Sequence, residues 1–237
     1  MDTTTRVPIA NKPMFENLKV LHVMDLKNLK ELCVGELPHG SLGNLRSLVV
    51  HTCWNLLNPL LPSNLLKRLQ NLKTLAIQGV TCAEYVFGSE DFGQEQIELE
   101  KLRLWGLEQL ENIWRDPTGY AIIRNLRCLE VSRCDKLKYV FTYDVSQCLL
   151  QLEKLNVNWC GCLEMIIGPG DGTVKKIVLP KLRIFNFFGL PQLTSFYIGN
   201  DEIECPSLEA LTAFQCPQFP TSTYNFHSRN RVKIVTG

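Results

Sequence analysis

Apolar residues fall on a fixed ruler along this chain. In residues 126–141, LRCLEVSRCDKLKYVF, Leu126, Leu129 and Val131 stand at offsets 0, 3 and 5, Cys134 at 8, Leu137 at 11, and Val140 and Phe141 at 14 and 15. The same ruler fits with first leucines at 18, 45, 72, 99, 126, 152, 182 and 208, spaced 27, 27, 27, 27, 26, 30 and 26 residues apart. Offset 3 is Leu throughout except Phe185, and offset 5 is Val, Ile, Leu or Phe until Ala213. Offsets 3 and 5 share one side of an extended chain, and β-branched residues suit a strand. Each period therefore predicts one short strand, and stacked periods predict a parallel sheet. Offsets 8, 11 and 14 bring the chain around behind that sheet. A lone period buries too little apolar surface to offset its chain entropy, so neighbouring periods must share their faces.

The pattern L-x-x-L-x-L-x-x-C-x-x-L resembles the leucine-rich-repeat signature in its Cys form. It implies an α/β leucine-rich-repeat solenoid of about eight repeats. That fold is a right-handed arc, with a parallel sheet on the concave face and short helices and irregular loops on the convex face. On the returning halves, residues 63–70 (SNLLKRLQ) predict a short helix capped by Ser63. Residues 120–126 and 144–150 predict two more, with Asp144 at the N-terminus of its turn. Residues 88–98 and 168–173 read as polar, Gly-rich loops, the second accounting for the 30-residue spacing. The expected organisation is a lead-in over 1–14, a repeat domain over 15–220 and a tail over 221–237, in which 232–235 predicts a last strand. Neither end carries an evident polar cap, so the chain reads as cut from something larger.

Composition narrows the class. A net charge of +1 with 21% charged residues gives no electrostatic footprint for nucleic acid or an anionic membrane. The opening MDTTTRVPIANKP has no apolar stretch of signal-peptide length, and no run approaches the roughly 20 apolar residues of a membrane span. Ten cysteines raise the prospect of a disulfide framework, but four of them recur at offset 8 and no Asn-X-Ser/Thr sequence occurs. The expectation is a reduced cytoplasmic protein with buried thiols.

The later repeats are more particular. Residues 179–219, LPKLRIFNFFGLPQLTSFYIGNDEIECPSLEALTAFQCPQF, resemble the leucine-rich-repeat region of plant nucleotide-binding, leucine-rich-repeat disease-resistance proteins of the coiled-coil type. The family's PKL-x-x-L, LP-x-L-x-S-F and PSLE-x-L…CP-x-F steps fall on Pro180–Leu182, Leu190–Phe196, Pro206–Leu211 and Cys216–Phe219. CDKLKYVF and CGCLEMII match the same group. The resemblance implies a module that recognises pathogen effectors, directly or through a guarded host protein, and restrains a nucleotide-binding switch. No G-x-x-x-x-G-K-[ST] loop occurs here, so that switch would lie outside this chain. The expected partner is then an effector, a guarded host protein or the receptor's own nucleotide-binding domain. The alternative reading is a stand-alone leucine-rich-repeat scaffold or inhibitor.

With the strand phase fixed, offsets 2, 4 and 6 point out of the sheet. These columns vary freely while the framework columns are nearly uniform, which suits protein recognition. The candidate surface comprises His22, His51, Gln78, Arg103, Trp105, Glu130, Ser132, Asn156, Asn158 and Phe188. Trp105 beside Arg103, with Glu130 one coil on, marks the expected hot spot, because aromatics and Arg carry much interface energy. The bland alternative is that Trp105 packs only against its neighbours. Offset 1 is charged in every repeat; it reads first as a solvated ladder of pairs worth about 0–1 kcal/mol each. Its positive start, Lys19, Arg46 and Lys73, is the place for an intramolecular acidic domain to dock.

No catalytic, cofactor or metal site is expected. Cys160 and Cys162 lack a second ligand pair at zinc spacing, and Cys160 fills the repeat position as a buried thiol. His22 and His51 have no nucleophile or paired carboxylate to complete a catalytic set.

Overall fold

A computed structural model describes residues 12–88, 97–115, 123–170, 176–197, 202–220, 226, 228 and 231–237. In chain order the elements are β1 (Val20–Met24), β2 (Ser47–His51), α1 (Ser63–Leu66), β3 (Thr74–Gln78), β4 (Tyr85–Phe87), β5 (Lys101–Trp105), β6 (Asn112–Trp114), β7 (Cys128–Ser132) and β8 (Tyr139–Thr142). There follow α2 (Tyr143–Ser146), β9 (Lys154–Asn158), β10 (Met165–Gly168), β11 (Lys176–Val178), β12 (Ile184–Phe188), β13 (Ser195–Tyr197), β14 (Glu202–Glu204), β15 (Ala210–Phe214) and β16 (Lys233–Thr236).

Every repeat places its strand on offsets 2 to 6, and the eight strands pair side by side in the parallel order β1-β2-β3-β5-β7-β9-β12-β15. Seven turns of a leucine-rich-repeat solenoid therefore join them. The register never slips: offset 4, for example, runs His22, Val49, Ala76, Arg103, Glu130, Asn156, Asn186 and Thr212 in direct opposition. A one-residue slip would turn every inward leucine to solvent, which is why the buried face fixes the register. β16 adds a ninth strand beside β15, one residue later than the tail pattern predicts.

Inward residues at offsets 3 and 5 are buried from the second coil onward. In the first coil Leu21 and Val23 are only half-buried, because among the described residues a single neighbouring coil stacks on this one. The cysteines at offset 8 fill leucine positions and also serve the backbone. Cys53, Cys134, Cys160 and Cys216 each donate their thiol to the carbonyl two residues back, at 3.4–3.5 Å. All ten cysteines are free thiols. The neighbouring Cys160 thiol, then burial, holds Cys134 well above the usual thiol range, and burial pushes Cys205 up to about 12. Both stay protonated, the state of an inert packing residue.

The back of the coil departs from the expected helices. Five repeats carry a second short strand at offsets 13 to 15: β4 pairs β6, and β8, β10 and β13 form a three-stranded sheet. Phe87, Trp114 and Phe141 stack along this side with centroids 6.0 and 5.6 Å apart. The 63–70 helix shrinks to the four residues of α1, with Pro62 rather than Ser63 in the cap position and Ser63 as the first helical residue. The 144–150 helix shrinks to α2, capped by Thr142 Oγ1, which accepts from the Val145 amide at 3.4 Å, with Asp144 in its first turn. Of 120–126, residues 123–125 form a turn and 120–122 lie outside the described residues, as do 89–96 and 171–173 of the two expected loops. The reason is spatial. Coils stack at the ~4.8 Å strand spacing, whereas a helix with side chains is about 10 Å wide. Extended backs such as Tyr85-Val-Phe and Met165-Ile-Ile fit that pitch, and their β-branched and aromatic residues favour it.

One further column holds in all eight repeats. Offset 7, just past each strand, has a positive φ: Asp25, Thr52, Gly79, Gly106, Arg133, Trp159, Gly189 and Gln215 all lie between 54° and 64°. The left-handed residue ends the strand and turns the chain towards the back. Glycine adopts it freely, while other residues lose roughly 1–2 kcal/mol. Gln215 is exposed, and its amide donates to the Gly237 carbonyl whatever the side chain. Gln215→Gly should therefore raise stability by about 1 kcal/mol in urea melts. An unchanged or lowered midpoint would show that the turn carries no strain.

Candidate functional site: the concave face and its lip

The zero-slip register lines up side chains of like offset, and on coils four to eight this builds a polar ladder along offset 4 and a polar, then aromatic, one along offset 6. Along offset 4, Arg103 Nε lies 3.0 Å from Glu130 Oε2, Asn156 Nδ2 donates to Glu130 Oε1 at 3.5 Å, and Asn186 Nδ2 donates to Asn156 Oδ1 at 3.0 Å. Along offset 6, Asn158 Nδ2 donates to Ser132 Oγ at 3.4 Å, and Phe188 stacks on Phe214 at 5.2 Å. Cys128 leans on the same network, its thiol donating to Glu130 Oε1 at 3.7 Å. The face is thus held in place by its own hydrogen bonds before any partner arrives. Such preorganisation lowers the ordering cost of binding.

The sequence-derived candidates separate into two groups. Gln78, Arg103, Trp105, Glu130, Ser132, Asn156, Asn158 and Phe188 share adjoining strands β3 to β12. His22 and His51 sit towards the first edge of the sheet; His22 faces Val49, His51 faces Met24, and the two are diagonal neighbours. His51 Nδ1 is 2.8 Å from Thr52 Oγ1. Among the described residues no group of three or more His, Cys, Asp or Glu stands close enough to hold a metal ion.

At offset 1, three ion pairs cross between coils: Lys73–Glu100 at 2.8 Å, Arg127–Glu153 at 2.6 Å and Arg183–Glu209 at 2.9 Å. The Lys73 ammonium, hydrogen-bonded to it, holds the Glu100 carboxyl below its usual range, and Arg183 does the same to Glu209. Lys73 is therefore engaged within the ladder, whereas among the described residues Lys19 and Arg46 make no ion pair.

The strand columns do not contain the whole surface. Offsets 7 and 9 contribute Trp54, Arg133, Asp135 and Trp159, which gather with Trp105 and Glu108 around an open groove of about 810 Å³ at the lip of the sheet. Trp54, Trp105 and Trp159 are 42, 41 and 47% exposed, a large aromatic surface to leave in water. The Arg133 guanidinium lies over the Trp105 ring at 5.5 Å, so Trp105 packs against a neighbour and still shows a free side. Trp159 meets Phe188 edge to face at 4.7 Å. A strict period-two reading passes over offset 7, because it assigns outward positions only within the strand. The three glycines of that column were the available signal for a left-handed turn, which leaves Arg133 and Trp159 on the lip.

The chain also matches a family model, that of the plant disease resistance protein RPS2-like leucine-rich repeats, over residues 16–161, more than half of its length. The chain belongs to this family. None of the curated proteins compared with it matches. As a resistance-protein leucine-rich-repeat region, the chain is a recognition and regulatory module on a fold that generally serves as a non-catalytic, protein-binding scaffold. Among the described residues no helix is long and apolar enough to cross a membrane. The matched stretch ends in the sixth coil, and coils seven and eight continue the same register through β12 and β15.

Proposed function

We propose that this chain is the sensing surface of an intracellular plant immune receptor. In this reading the concave face binds a pathogen effector, or a host protein that the effector alters. In the unbound state the array restrains a nucleotide-binding switch located outside this chain, in the cytoplasm. The reading rests above all on the contrast between columns. Offset 3 is almost entirely Leu and offset 5 stays apolar in every coil, whereas offsets 2, 4 and 6 of the same strands differ in charge, size and polarity from coil to coil. Core packing needs no such variety, and a partner-shaped surface does.

The decisive experiment compares the receptor carrying this chain with a Trp105→Ala/Arg103→Ala variant. Capture of host and pathogen proteins from infected leaf tissue should fall by at least about tenfold for the partner protein, with cell death on infection lost in parallel. The melting temperature of the isolated chain should stay within a degree or two, since both side chains are exposed. Unchanged capture and unchanged cell death would remove the concave face from recognition.

A further inference from the structure

The lip groove has a chemistry distinct from the ladders beside it. Its floor is bare backbone where Gly79 and Gly106, adjacent members of the left-handed column, come side by side; a Cβ on Gly106 would sit 3.8 Å from the Gly79 amide nitrogen. Its walls are the indoles of Trp54, Trp105 and Trp159, and its charged lining residues are Glu108, Asp135 and Arg133. Among the described residues neither carboxylate takes part in an ion pair; Asp135 only accepts the Gly161 amide, at 3.0 Å. The balance of the lining is two negative charges against one positive. That positive charge already rests on an indole face, so the wall accepts a guanidinium. Lys27 sits likewise over Trp54 at 5.1 Å.

Aromatic faces attract cations through their ring quadrupole, and nearby carboxylates strengthen the attraction. We propose that this groove docks a basic segment of the protein partner, an exposed Arg or Lys side chain entering over the glycine floor, among the three indoles and against Glu108 and Asp135. Arg133 and Lys27 then act as the chain's own occupants of the Trp105 and Trp54 faces, which an incoming cation must share or displace. The inference rests on the recognition reading above and gives its partner a charge.

The test needs no identified partner. The probe is the blocked peptide acetyl-Gly-Arg-Gly-Arg-Gly-amide, with versions in which both Arg residues become citrulline or Glu. The readout is the indole N–H signals of the four tryptophans in the isotope-labelled chain. Trp114, 6% exposed in the aromatic stack on the back of the coil, is the internal control. The Arg peptide should shift the other three indole signals saturably, more weakly as salt rises, and leave Trp114 unmoved. Glu108→Gln/Asp135→Asn should weaken binding roughly threefold or more. The amide oxygen of the new Asn keeps the bond from Gly161, so the fold is spared. Arg133→Gly should tighten binding by roughly threefold, since it frees the Trp105 face and removes the competing charge. Equal binding of the citrulline or Glu peptide would overturn the proposal, as would an unsaturable shift shared with Trp114 or weaker binding by Arg133→Gly. Loss of partner capture in the Trp105/Arg103 variant, with the peptide indifferent to charge, would retain the recognition reading and discard the basic segment. Selective peptide binding without any partner capture would do the reverse.

Discussion

Phe185→Ala should destabilise the chain by about 3–5 kcal/mol. Phe185 is fully buried and is the one aromatic residue at offset 3, a column otherwise made of leucine. Its ring centroid lies 5.6 Å from Phe187, 5.0 Å from Phe196 and 5.7 Å from Phe226, so it ties the strand, the back of its own coil and the C-terminal segment together. Truncation leaves a cavity among rings that cannot collapse without moving the backbone. Because each coil touches only its neighbours, the damage should localise. Hydrogen exchange should accelerate most in β12, β15 and β16, with β2 and β3 little changed. Phe185→Leu restores the residue of the other seven coils and should cost less than about 1.5 kcal/mol. A loss below that same figure for the alanine variant would show that the aromatic cluster repacks and that coil seven is held mainly by its backbone ladder.

The strand of every coil was legible because its determinants are local and repeated. Leu48 and Val50 alternate with Ser47, Val49 and His51, and that alternation recurs until chance is excluded. The backs were less legible because they answer to stacking rather than to their own propensity. SNLLKRLQ is a good helical sequence, yet a full helix is wider than the coil pitch, and only Ser63–Leu66 closes a turn. At the site, the outward placement of Arg103, Glu130 and Asn156 followed from strand phase, and the observed register sets them side by side. The lip did not follow, because Trp159 and Arg133 reach it through a backbone conformation that those residue types disfavour. Thr52 and Gln215 share the column without any comparable ring contact, so residue identity alone gives no sign of which members matter.

Strain and surface meet at the junction of coils six and seven, and Gly189→Ala is the substitution that separates them. Gly189 lies at φ +63°, where an alanine loses roughly 1–2 kcal/mol. A Cβ there would also stand 2.4 Å from Trp159 Cε3 and 2.7 Å from Cζ3. No real contact is that short, so the indole must leave the Gly189 backbone and its edge-to-face contact with Phe188. The two terms together predict a loss of roughly 2–4 kcal/mol. Gly106→Ala is the matched control: it has the same turn at φ +64° but nothing nearer its Cβ than 3.8 Å, so only the backbone term applies. In the double variant Gly189→Ala/Trp159→Ala the clash disappears, and the remaining cost should fall towards that of the control. If Trp159 is held on the lip by the bare backbone of Gly189, then Gly189→Ala should also weaken the Arg peptide, while the glycine floor at Gly79 and Gly106 is left intact. Equal costs for Gly189→Ala and Gly106→Ala, with peptide binding retained, would mean that Trp159 swings aside freely and that its position on the lip is not fixed by the coil beneath it.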